Sequence, residues 1–209
     1  SRLLRSLCIS AYWLYGRLPD SVKEKIDARL LKEVNGFVKK YERAGDLYPL
    51  GPNDHQWKDI AGAGIACWYL SSRYPEVEAY FDRFLMLYES KIIEESIGPD
   101  GGWLDGSLVA LYVLLDAIFW FEVVKEHKGR DISKNPLLVK ACDNIVGTMC
   151  LHKGCQYPYS HTLFWLAANY GRNDLQYLAV TGALSGQSDT RFNAYSLMIY
   201  NPAIEPKET

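Results

Sequence analysis

Two short segments of this sequence gather side chains that can meet a charged, hydroxyl-rich ligand. The first reads Gly51-Pro52-Asn53-Asp54-His55-Gln56-Trp57. The second reads Gly101-Gly102-Trp103-Leu104-Asp105-Gly106-Ser107, with Tyr112 following it. Each lies where a turn rich in Gly or Pro gives way to a helical pattern. A helix N-terminus carries unsatisfied N–H groups and the positive end of the helix dipole, so both junctions suit a carboxylate-bearing ligand. Asn53 and His55 supply donors, Trp57 and Trp103 supply flat rings for sugar faces, and Asp105 supplies an acceptor. His161, beside Tyr157 and Tyr159, marks a third junction of the same kind. Structural alternatives stand beside these readings. His55 also reads as a helix cap or a partner of Asp59, Tyr112 and the Trp rings as core, and Asp105 as an N-cap. His127 and His152, with Lys and Glu neighbours, read as solvated surface.

The elements that position these residues are helices. The first spans Arg2 to about Tyr15, with Leu4, Leu7, Cys8, Ala11, Leu14 and Tyr15 on one side, and Gly16 and Pro19 end it. The next runs to about Arg43 with Ile26, Leu30, Val34, Phe37, Val38 and Tyr41. A third spans about His55 to Ser72 and holds Gly62 and Gly64, which suit close helix packing or ligand access. A fourth runs from Pro75 to about Ser96 and ends at Gly98-Pro99-Asp100-Gly101-Gly102. A fifth starts near Asp105 and carries the apolar run Leu108 to Phe121, interrupted by Asp116. Further helices are expected at Pro136 to Cys150, His161 to Tyr170, Leu175 to Leu184 and Arg191 to Tyr200. No segment shows the alternation of a strand. Short loops between long helices imply antiparallel hairpins, about four of them. Side by side they form an incomplete α/α toroid; a closed bundle is the competing arrangement.

Composition bounds the function. The 209 residues carry a net charge of −2, and no basic stripe marks a nucleic-acid partner. No apolar run reaches the roughly 20 residues of a membrane span, so no membrane partner is expected. The 15 Tyr and 6 Trp suit an aromatic cleft. Five Cys form no framework; Cys8, Cys67 and Cys142 fall in apolar helical patterns and read as core. Cys150, His152 and Cys155 lack an evident fourth ligand, so no metal is expected. Nothing in the sequence calls for a cofactor.

The order of features resembles the helical domain of heparinase II/III-like and alginate-lyase-like polysaccharide lyases. Leu7 to Tyr15 with Leu18-Pro19 resembles the early toroid helix pair. Asn53 and His55, ahead of Gly62-Ala63-Gly64-Ile65-Ala66, resemble the Asn/His-bearing helix, although Asp54 separates the two here. Trp103 to Tyr112 resembles the Gly-aromatic-x-acidic-Gly segment, and Phe192 to Pro202 the helix that closes the toroid. The resemblance implies an (α/α)-toroid domain over residues 1–201 and a linker over 202–209 toward a β-sandwich of the same protein. It implies cleavage of a uronic-acid polysaccharide by β-elimination, and a periplasmic or secreted location in a bacterium. Asn53 and His55 would neutralise the substrate carboxylate. Tyr112 would transfer the proton. Trp57, Trp103, Asp105, Tyr159 and His161 would hold the sugar. The alternatives are a six-hairpin glycoside hydrolase, which needs two flanking carboxylic acids, and a non-catalytic carbohydrate-binding module. This chain, with only part of such a site, is expected to bind uronate oligosaccharides weakly and to turn them over negligibly.

Overall fold

The computed structural model of the chain describes residues 2–43, 54–150, 160–184 and 201–207. Of these residues 81% are helical and none forms a strand, as the periodicity implied. In order, the helices are α1 (Arg2–Leu14), α2 (Asp20–Arg43), α3 (Asp54–Ser71), α4 (Val77–Leu87), α5 (Glu94–Ser96), α6 (Ser107–Lys128), α7 (Pro136–Cys150), α8 (Ser160–Tyr170) and α9 (Asn173–Leu184). The single helix expected from Pro75 to Ser96 is interrupted by a π-helical segment, Tyr88–Ile93. The helix expected at Arg191 to Tyr200 lies outside the described residues.

The chain forms two compact units. One comprises Ser1–Ser96 and Phe119–Ile132, the other Ile97–Ile118 and Ser133–Thr209, so α6 gives its second half to the first unit and its first half to the second.

In the first unit α3 is the central helix, touched by α1, α2 and α4. That role explains its composition. From Gln56 to Leu70 nearly every residue is buried, so small residues, Ala61 to Gly64, let neighbouring helices approach. Gly64 is the tightest of these places. A Cβ there would fall 2.4 Å from the Trp120 ring, which is itself fully buried. Trp120 is held by Phe81, with centroids 4.9 Å apart, and cannot easily retreat. Of the two uses the sequence suggested for these glycines, Gly64 serves close helix packing. The stripe of α2 also folds as its spacing implied: Leu30, Val34, Val38 and Tyr41 are buried. The end of α1 departs from the pattern, because Leu14 is exposed and Tyr15 only half-buried.

In the second unit α8 and α9 form a hairpin, with α7 against α9. The turn before α6 is built on Gly101, whose φ of +85° and whose 2.4 Å approach of a would-be Cβ to the Lys140 carbonyl admit only glycine. Asp100 closes the same turn by accepting from the Gly102 amide at 3.0 Å. The segment expected as a linker is irregular but docked: Gln176 Nε2 donates to the carbonyls of Asn201 and Ile204, and Ile204 is buried.

Cys8, Cys67 and Cys142 are buried, as expected of small core residues. Burial pushes the Cys8 and Cys142 thiols up to about 12, and Cys67 higher still.

Gly64→Ala is expected to lower stability by about 1–3 kcal/mol, the cost of overpacking a full contact. A denaturant midpoint equal to that of the native protein would show that Trp120 yields freely.

Candidate functional site

The sequence-derived site residues divide between the two units. Asn53 and Tyr159 lie outside the described residues. In the first unit His55 stands at the start of α3 with its side chain 79% exposed, 3.7 Å from Asp54. Asp54 is occupied by Lys58, whose ammonium lies 2.6 Å away and whose side chain is buried. Burial pushes the Asp54 carboxyl up, but the hydrogen bond and charge of Lys58 outweigh it, and its pKa falls below the ordinary value. Asp59, the alternative partner for His55, faces Lys40 at 3.7 Å.

Trp57 is a correction to the expected sugar platform. It is 1% exposed, its indole N–H donates to Ser96 Oγ at 2.7 Å, and its ring meets Tyr88 edge-on at 5.1 Å. A ring so enclosed offers no face for stacking. In the second unit Trp103 is likewise buried, and it anchors its loop through a bridge to Ile97 and through its carbonyl, which accepts from Gly106 N. Asp105 is exposed on that loop, and Gly106, not Asp105, occupies the N-cap position of α6: its carbonyl accepts from Ala110 N at 3.0 Å. Tyr112 is half-buried on α6, and His161 is buried at the start of α8.

A cavity does form, at the opposite end of α3 from His55. From His55 to Trp68 is 13 residues, roughly 20 Å of helix. The cavity measures about 450 Å³ and lies within the first unit. Tyr12 and Tyr15 line it from the end of α1. Trp68, Tyr69, Ser71, Ser72 and Arg73 line it from the end of α3, and Glu126 and His127 from the last turn of α6. Tyr12 and Trp68 sit with ring centroids 4.8 Å apart, and Tyr12 is half exposed.

Arg73 organises this cavity. Its Nε and Nη2 donate to the two carboxylate oxygens of Asp27 at 2.6 and 2.8 Å. Asp27 is 4% exposed, on the buried stripe of α2. The guanidinium lies over the Tyr69 ring at 4.6 Å and the Tyr15 ring at 5.1 Å. With one edge fixed by Asp27 and two aromatic rings packed beside it, it is held in one orientation. Among the described residues its remaining nitrogen, Nη1, makes a 3.4 Å contact to Ser72 Oγ and no other hydrogen bond. The Asp27 hydrogen bond holds the Arg73 pKa above its ordinary value, against the effect of burial. Burial pushes the Tyr69 hydroxyl up, and that hydroxyl has no hydrogen-bond partner among the described residues.

His127 corrects a second expectation. It is not solvated surface: its side chain is 23% exposed, Nε2 lies 2.9 and 3.0 Å from the two Glu78 oxygens, and the ring packs against Phe81 at 4.8 Å. Lys128 bridges Glu78 and Asp82. His152 lies outside the described residues. Sequence reasoning passed over this cluster because its partners lie 46 to 50 positions apart. The available signal was the run Tyr12-Trp13-Leu14-Tyr15 at a helix end, with more aromatic surface than a narrow apolar stripe needs.

Among the described residues no cluster of His, Cys, Asp or Glu is arranged to hold a metal, and no helix is long and apolar enough to cross a membrane.

Acid should destabilise the protein through its paired carboxylates. Burial pushes the Glu78 carboxyl up, but hydrogen bonds from Lys128 and His127 outweigh it and its pKa lies below the ordinary value. In Asp174 the Arg172 hydrogen bonds dominate with the same result. A depressed folded pKa contributes stability that is present above the unfolded pKa and is lost as pH falls through the folded one. Stability is therefore expected to decline below about pH 4, and Glu78→Gln to flatten that decline, in thermal melts run across acid pH. A decline equally steep in Glu78→Gln would remove Glu78 from this account. Comparison with known protein families, with characterised proteins and with solved structures finds no match to this chain.

Proposed function

We propose that this chain is the helical, saccharide-holding part of a protein that cleaves a uronic-acid polysaccharide by β-elimination. Its hairpins would belong to an incomplete α/α toroid. The observation that carries saccharide binding is the cavity of the first unit, which joins aromatic rings to a fixed guanidinium. Sugars need apolar faces to stack on and fixed polar groups to read hydroxyls. Tyr12 and Trp68 offer the rings, and Ser71, Ser72 and Glu126 are lining groups that donate or accept.

A uronate adds a carboxylate, and Arg73 is its natural partner. Asp27 already neutralises the guanidinium's charge in part, so the gain is directional hydrogen bonding at Nη1 more than net charge. Glu126 on the lining opposes an anion, which sets the carboxylate on the Arg73 side of the cavity. The lining also weighs against a glycoside hydrolase. That chemistry needs two carboxylic acids flanking the bond, and Glu126 is the one carboxylate among the lining residues.

The resemblance implied Asn53, His55 and Tyr112 as the eliminating groups; neither His55 nor Tyr112 lines this cavity, and Asn53 lies outside the described residues, so saccharide binding falls to Trp68 and Arg73 instead. A non-catalytic binding module is the second reading; it shares the cavity and yields no unsaturated product.

Calorimetric titration with hexuronate oligosaccharides tests the binding. Trp68→Ala is expected to weaken it by about 1 kcal/mol, roughly fivefold, the size of a stacking contact. His55→Ala is expected to leave it nearly unchanged, because His55 stands at the far end of α3. Equal affinity in native and Trp68→Ala protein would remove the cavity from saccharide binding.

A further inference from the structure

The same cavity holds a histidine whose surroundings resemble those of a proton acceptor. Glu78, on α4, meets Nε2 of His127 with both carboxylate oxygens, at 2.9 and 3.0 Å. A carboxylate accepts, so Nε2 carries the proton. In the neutral imidazole that leaves the lone pair on Nδ1. Nδ1 has no hydrogen-bond partner among the described residues and is not among their buried, unsatisfied atoms. His127 is thus fixed in orientation by one nitrogen, with the other left basic, and its ring lines the cavity. A carboxylate behind an imidazole sets the tautomer and stabilises the imidazolium once formed.

The partners of Glu78 bear on how this pair works. Lys128 also bonds Glu78 and is shared with Asp82. The imidazole is met by Glu78 from α4; Lys128 from α6 bonds Glu78 and Asp82, and Glu126 from α6 and Arg73 from the end of α3 are charged groups on the same cavity lining. A structural role, tying the last turn of α6 to α4, needs the Glu78 contact alone. It does not call for the ring to line a cavity that also holds Arg73.

We propose that His127, oriented by Glu78, is the proton acceptor of this cavity and removes the proton at C5 of a uronate whose carboxylate is met by Arg73 Nη1. This rests on the saccharide reading given above. The step balances without a co-reactant. The C5–H bond breaks, the proton goes to Nδ1, and the electron pair spreads into the carboxylate as an enolate. Arg73 Nη1 donates to the oxygen where that charge grows, the arrangement that lowers such barriers. Where no leaving group departs, the proton returns to C5 from the imidazolium, after exchange with solvent.

That reversal gives a test independent of complete elimination. The full chain is incubated with a hexuronate oligosaccharide in D₂O, and loss of the C5 proton signal is followed by NMR beside calorimetric binding. The native protein is expected to bind and to exchange C5–H for deuterium. His127→Gln is expected to slow exchange by at least about 100-fold and to keep binding. A thermal melt of the variant confirms that it folds, and His127→Asn serves as a second variant if it does not. A folded variant that still exchanges, or native protein that binds without exchange, would overturn the role of His127. Native protein that fails to bind would overturn the saccharide reading and this inference together.

Discussion

Asp27 is a carboxylate placed inside an apolar stripe, and the arrangement of the first unit's cavity follows from how that charge is satisfied. A buried carboxylate costs several kcal/mol of lost hydration, which its ion pair offsets only when the geometry is good. Here the geometry is bidentate, with Arg73 reaching back from the end of α3. Such a pair adds little net stability, but it fixes position. The Arg73 side chain is drawn across the Tyr15 and Tyr69 rings, and one nitrogen is left pointing away from Asp27. Truncating Asp27 would leave a partly buried cation without its main partner and would free the guanidinium from the rings. The remaining polar groups of the cavity are then meaningful, because the cation they surround is oriented by Asp27 and the two rings.

A second constraint comes from the core of the same unit. α3 is buried along most of its length, and Gly64 lets Trp120 lie against its backbone. Trp120 and His127 share α6, seven residues apart and so about two turns apart on similar faces. Phe81 touches both rings. The packing that seats Trp120 therefore also seats His127 beside Glu78. Core and cavity are linked by one helix and one ring.

Much of the fold was legible in the sequence, because helix periodicity and helix stops are local. Gly16 and Pro19, and the run Gly98 to Gly102, mark ends within a few residues of where helices stop. The π-helical segment at Tyr88–Ile93 left no such mark, since it widens a helix without breaking its apolar pattern. The candidate site was legible only in kind. An aromatic and polar cavity was expected, but at the helix starts and not at the far end of α3. The reason is that Trp57, Trp68 and Trp103 have the same chemistry, and burial alone separates a core ring from a binding ring. Trp57 and Trp103 are enclosed, whereas Trp68 lines open space. Asp27 and Arg73, or Glu78 and His127, look like ordinary surface charges until folding brings them together across more than 45 positions.

The central claim is that sugar enters at Trp68 and not at Trp57 or Trp103. The six indole N–H groups give six separate reporters, and ¹⁵N-labelled protein titrated with a hexuronate oligosaccharide reads them all at once. The account predicts that the Trp68 indole signal moves with saturating dependence while those of Trp57 and Trp120 stay in place. A titration that moves the Trp57 or Trp103 signal and leaves Trp68 unmoved would contradict it.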